Sequence, residues 1–128
     1  MKNKYTTAGH TIYKTINTVM KGNINMSVVS FNKDDLENVK NSGKIILLDF
    51  YADWCGPCRM LSPVVEEFAE ENPDFVVGKI NVDKEPELSE EFGVSSIPML
   101  VVMKDGKILN KSVGAKSKQQ ILEMIEKK

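Results

Sequence analysis

Cys55 and Cys58 are the only cysteines in the chain, three residues apart in Trp54-Cys55-Gly56-Pro57-Cys58. A pair so placed is a redox couple, half of a metal site or a structural staple. Zinc draws four ligands from Cys, His and carboxylates, but no second cysteine pair exists and the one histidine, His10, lies far upstream. A bridge closing so short a loop restrains little chain entropy, which argues against a staple. Thiol–disulfide exchange is the chemistry that fits, with no metal expected.

Exchange needs one sulfur as an anion, since a thiol of ordinary pKa, about 8.5, is only about 3% ionised at pH 7. The flanking segments indicate how the anion is favoured. Ile45-Ile46-Leu47-Leu48-Asp49-Phe50 is apolar without alternation, the pattern of a central strand covered on both faces. After the cysteines, Met60, Leu61, Val64, Val65, Phe68 and Ala69 form a helical stripe, with Glu66, Glu67, Glu70 and Glu71 turned to water. Pro63 is expected to kink that helix. Cys55 thus falls at a helix N-terminus, where unpaired N–H groups and the positive dipole end favour a thiolate. Cys58, one turn further in, is within disulfide range and is the natural resolving thiol. Arg59 either adds positive charge nearby or is a solvated helix residue. Asp49, alone in an apolar strand, should resist ionising and keep its proton to an unusually high pH.

The remaining elements follow from local signals. Residues Ser27 to Ser30 read as a short strand, and Asn32 caps a helix to about Asn41, with Phe31 and Leu36 as its hydrophobic staple. Phe75 to Val82 reads as a strand, and Pro86 to Phe92 as a short helix ended by Gly93. Met99 to Met103 and Lys107 to Val113 form a hairpin around Lys104-Asp105-Gly106. Ser117 with Gln120 makes a capping box for a last helix that turns Ile121, Leu122 and Ile125 inward. The expected class is α/β, a mixed central sheet built as β-α-β-α-β then β-β-α with helices on both faces.

Composition narrows the partners. With 128 residues, 41% hydrophobic and 27% charged, the chain suits one soluble domain. Of its 17 basic and 18 acidic residues, four lysines and no acid fall in residues 1–25, which leaves the rest at −5. An acidic body with scattered lysines is a poor match to a phosphate backbone, so no nucleic-acid partner is expected. No run of 18 apolar residues occurs, so no membrane span is expected, and the N-terminus lacks a secretory h-region; the reading is cytoplasmic. Residues 1–25 stand apart as a mobile tail or an overlong start before Met26. The alternative is an amphipathic targeting or membrane-surface helix, from the spacing of Ile12, Tyr13, Ile16, Val19 and Met20. Residues 26–128 form the expected domain.

The run Asp49-Phe50-Tyr51-Ala52-Asp53-Trp54-Cys55-Gly56-Pro57-Cys58 resembles the active-site signature of the thioredoxin family. The resemblance covers residues 26–128, with Lys79-Ile80-Asn81-Val82-Asp83, Val94-Ser95-Ser96-Ile97-Pro98, Lys104-Asp105-Gly106 and Val113-Gly114-Ala115 in the family's order. It implies the thioredoxin fold and a monomeric protein disulfide reductase with a redox-active Cys55–Cys58 disulfide and no bound cofactor. A thioredoxin reductase drawing on NADPH would recycle it, and disulfide-containing proteins would be its targets. It further implies that Asp49 exchanges a proton with Cys58, that Lys79 approaches Asp49, and that Trp54, Gly56 and Pro57 tune the motif. Trp54, Ile97, Pro98, Gly114 and Ala115 become the docking candidates, with Ile97-Pro98 either the family's cis-proline loop or an ordinary turn.

Tyr51, where the family more often has tryptophan, and Met99, where threonine is usual, bear on partner choice and potential rather than on thiol chemistry. An oxidant or isomerase of an exported compartment is the nearest rival; Gly56-Pro57 argues against it, because such relatives tend to carry a histidine between the cysteines. A non-catalytic binding module is the rival from another class.

Overall fold

The apolar run after Gly43 becomes the middle strand of the protein. In the computed structural model, which describes residues 28–127, the strands are β1 (Val28–Ser30), β2 (Ile46–Tyr51), β3 (Val76–Asn81), β4 (Met99–Lys104) and β5 (Lys107–Val113). Between and after them come helices α1 (Lys33–Val39), α2 (Gly56–Glu71), α3 (Pro86–Glu91) and α4 (Lys118–Lys127). The strand order is β1-β3-β2-β4-β5. β1 and β2 are parallel to β3, whereas β4 is antiparallel to β2 and β5. This is the mixed α/β sheet expected from the sequence. The helical spacing read in residues 1–25 lies outside the described residues.

Alternation along β2 divides the core. Ile46, Leu48 and Phe50 join Phe31, Leu36, Val39, Leu88 and Phe92 on one face. Leu47 joins Leu61, Val65, Phe68, Ile121 and Ile125 on the other. Each such side chain, fully buried, contributes about 1.5–3 kcal/mol, so burial on both faces is what holds β2 in the centre. By parity Asp49 points the same way as Leu47, beneath α2.

Local chemistry sets the helix ends. The Asn32 side chain accepts from Asp35 N–H at 2.9 Å while Asp35 accepts from Asn32 N–H at 3.0 Å, a reciprocal cap. Phe31 and Leu36 are both buried in the same cluster, as the staple requires. The Phe31 ring lies over Gly78 of β3, where an added Cβ would come within 2.8–2.9 Å of three ring atoms. Gly78→Ala is therefore expected to destabilise the fold by about 1–3 kcal/mol through overpacking. Denaturant midpoints check this; an unchanged midpoint would mean that the ring moves aside freely.

Three readings of the helices need correction. α2 buries Leu61, Val65, Phe68 and Ala69, but Met60 is 73% exposed. The buried stripe is narrower than expected: Val64 sits on its margin, and Met60, one turn earlier on that margin, lies beyond it. Glu66 is half-buried rather than turned to water, unlike Glu67, Glu70 and Glu71. In α4, Met124 joins Ile121 and Ile125 in the core, while Leu122 is only half-buried. The Ser117–Gln120 capping box forms in both directions, at 2.9 and 3.1 Å.

The sheet ends in β1, three residues long, on one side and β5 on the other. Lys107 and Lys111 of β5 are exposed, and the β4–β5 register shifts between Val102 and Met103. Asp105 and Gly106 take φ of 53° and 78° to turn the hairpin. Among the described residues no helix is long and apolar enough to cross a membrane.

Candidate active site

β2 ends at Tyr51 and α2 begins at Gly56, so the residues between them lie at the C-terminal end of the central strand, against the open end of a helix. Cys55 is the N-cap of α2, in extended conformation, and Pro57 occupies an early position whose missing N–H costs the helix nothing. Cys58 N–H donates to Cys55 Sγ at 3.2 Å. Cys55 and Cys58 are joined as a disulfide, their Cα atoms 5.2 Å apart. Exposure does not separate the two sulfurs, at 5% and 3% for their residues. Hydrogen bonding does, because Cys55 Sγ sits where an N-cap side chain collects the free N–H groups of the first turn.

Asp49, on β2, is fully buried, with neither carboxyl oxygen hydrogen-bonded. Burial raises its pKa from the ordinary 3.8 to about 6, against the opposing pull of Lys79. Lys79 is the register partner of Asp49 on β3. Its ammonium donates to Ser62 Oγ at 2.8 Å and lies 4.6 Å from the centroid of the Tyr51 ring. A cavity of about 130 Å³ is lined by Tyr51, Cys58, Ser62 and Lys79, among others. Burial also raises the Tyr51 phenol, against a hydrogen bond with Asn81.

The loops around the disulfide meet in one surface. The Ile97–Pro98 peptide is cis, and the Ile97 carbonyl oxygen lies 3.9 Å from Cys55 Sγ. Gly114 N–H donates to Pro98 O at 2.8 Å, with Gly114 at φ 104°, which ties the end of β5 to the proline loop. Ala115 is exposed on the same loop. Trp54 is 69% exposed and donates from Nε1 to Asp83 Oδ2 at 2.8 Å. Arg59 is exposed and donates to the Asp53 carbonyl at 2.9 Å. Met99, the residue after Pro98, is buried with Phe50 and Phe92 rather than facing the surface. Ser62, Asn81 and Asp83 take part in the site's polar contacts but carry no motif of their own; Asn81 and Asp83 had a visible signal, within the Lys79–Asp83 run, and Ser62 had none.

Among the described residues no group of three or more His, Cys, Asp and Glu is placed to hold a metal ion. With this disulfide at the mouth of a helix and the relatives it resembles, the molecule is a thiol–disulfide oxidoreductase. The thioredoxin family model matches residues 27–127, and the chain belongs to that family. It is 48% identical to a thioredoxin of Chlamydia muridarum (strain MoPn / Nigg) over 83 residues, 65% of this chain and 81% of that one. Against a thioredoxin of Mycoplasmoides gallisepticum the identity is 37% over 95 residues, 74% of this chain and 95% of the relative. Among solved structures, a mutant thioredoxin from Halobacterium salinarum NRC-1 superposes with a TM-score of 0.71 at 39% identity, covering 77% of this chain and 87% of its own.

Proposed function

We propose that the chain is a protein disulfide reductase in which Cys55 attacks and Cys58 resolves. The observation that carries the assignment is the Cys58 N–H bond to Cys55 Sγ at the first turn of α2, since the same donors stabilise that sulfur as a leaving group and as an anion. Cys55 thiolate attacks one sulfur of a target disulfide, forming a mixed disulfide and releasing the other target sulfur as a thiolate. Cys58 gives its proton to the Asp49 carboxylate and attacks Cys55 Sγ. The second target thiolate leaves, the target has gained two electrons, and Cys55–Cys58 is oxidised.

A thioredoxin reductase then returns two electrons from NADPH, which fits a reducing, cytoplasmic setting in which such pairs turn over rather than persist. Trp54, Ile97, Pro98, Gly114 and Ala115 form the docking surface, and Gly56 and Pro57 shape the turn between the sulfurs. Residues 26–128 are the catalytic domain and act as a monomer, with residues 1–25 as an extension.

Trapping tests the order of attack. Cys58→Ser is expected to accumulate covalent mixed disulfides with target proteins, visible on non-reducing gels and released by dithiothreitol, while Cys55→Ser accumulates none. Adducts formed by Cys55→Ser alone would reverse the assignment. Oxidation of NADPH by a bacterial thioredoxin reductase in the presence of the oxidised chain tests the recycling step.

A further inference from the structure

The polar contacts between β3 and α2 leave the buried acid alone. Asp49 and Lys79 face one another in register on adjacent strands, yet both Asp49 oxygens are unpartnered and the hydrogen bond of Lys79 Nζ goes to Ser62 Oγ, 17 residues earlier in the chain. The Tyr51 ring supports the ammonium from below, 4.6 Å from centroid to Nζ. Ser62 Oγ also lies 3.5 Å from Glu66 Oε2, one turn on. The hydroxyl proton turns toward Glu66, and its lone pairs are left for Lys79.

We propose that Ser62 is a positioning residue whose hydroxyl holds the Lys79 ammonium off the Asp49 carboxyl, leaving that buried acid without a hydrogen-bonding partner. An ammonium in direct contact would stabilise the carboxylate and weaken it as a base; held on Ser62, it acts on Asp49 only at a distance. The inference deepens, and rests on, the exchange role proposed for Asp49. Lys79 from β3 acts on that carboxyl, which in turn acts on the Tyr51 phenol of β2; Cys58 and Arg59 of α2 and Asp53 of the preceding loop line the cavity that Ser62 and Lys79 share, and Glu66 of α2 faces Ser62. β4 places the uncharged Leu100 opposite it.

The test is a carboxyl ¹³C NMR titration of Asp49 in the oxidised chain. In Ser62→Ala, Lys79 loses its acceptor, and its register partner Asp49 is a buried acid whose oxygens have no hydrogen bond. The titration midpoint is expected to fall by about one pH unit, a roughly tenfold loss of proton affinity. Ser62→Thr, which keeps the hydroxyl, should titrate like the parent. In a Lys79→Met background Ser62→Ala should have no effect. A midpoint that stays or rises in Ser62→Ala, or a fall that persists without Lys79, overturns the proposal. Turnover of a protein disulfide by the parent chain is a separate readout: its absence would sink the exchange role, while the titration alone decides whether Ser62 holds Lys79.

Discussion

Cys55→Ser is expected to reduce protein disulfides no faster than buffer, a loss of several orders of magnitude. A hydroxyl is scarcely ionised at neutral pH and does not carry a disulfide, so neither the attack nor the mixed disulfide survives. The substitution is clean because serine is among the best N-cap residues. Its oxygen can accept from Cys58 N–H much as Cys55 Sγ does at 3.2 Å, so α2 should begin where it does now. A circular dichroism spectrum like the parent's beside absent turnover is the expected pair of results. Appreciable residual turnover would place the attacking sulfur elsewhere, and the other cysteine, Cys58, is the only candidate.

The second large effect is on stability. A carboxyl held at about 6 when folded, against 3.8 ordinarily, binds its proton more tightly in the folded state, so its ionised form costs stability. That cost is fully present above pH 6, shrinks as pH falls toward 4 and is gone below the unfolded value. Two pH units correspond to about 3 kcal/mol. Asp49→Ala removes the carboxyl and leaves a small void whose cost does not vary with pH. Relative to the parent, the variant is therefore expected to gain about 2–3 kcal/mol more at pH 8 than at pH 4, measured by urea unfolding of the oxidised chain, in which neither cysteine titrates. Its Cys58 step should be slower at the same time. A difference below about 1 kcal/mol between the two pH values would mean that Asp49 is ionised at little cost, through hydration or a partner.

The fold was legible because hydrophobic period and turn chemistry are local properties. The unalternating run at 45–50 marks a strand with two covered faces, and Asp105-Gly106 marks a hairpin whose positive φ values few other residues tolerate. Asp49 was legible for the opposite reason, as the one residue that breaks its strand's pattern. Contacts between distant polar side chains leave no such trace. Trp54 meets Asp83 across 29 residues and Lys79 meets Ser62 across 17, and no spacing rule encodes either. Lys79 was placed beside Asp49 by resemblance, and the strand register puts it there, but its hydrogen bond goes to the helix. Met60 shows the limit of periodicity itself: a stripe says which way a side chain faces, not whether anything covers it.

The two borders of the sheet carry a consequence for crowded solution. A stray extended segment looking for ladder partners meets three residues at β1, and at β5 a strand whose pairing is offset by a bulge and guarded by Lys107 and Lys111. Copies therefore gain little by stacking flank to flank.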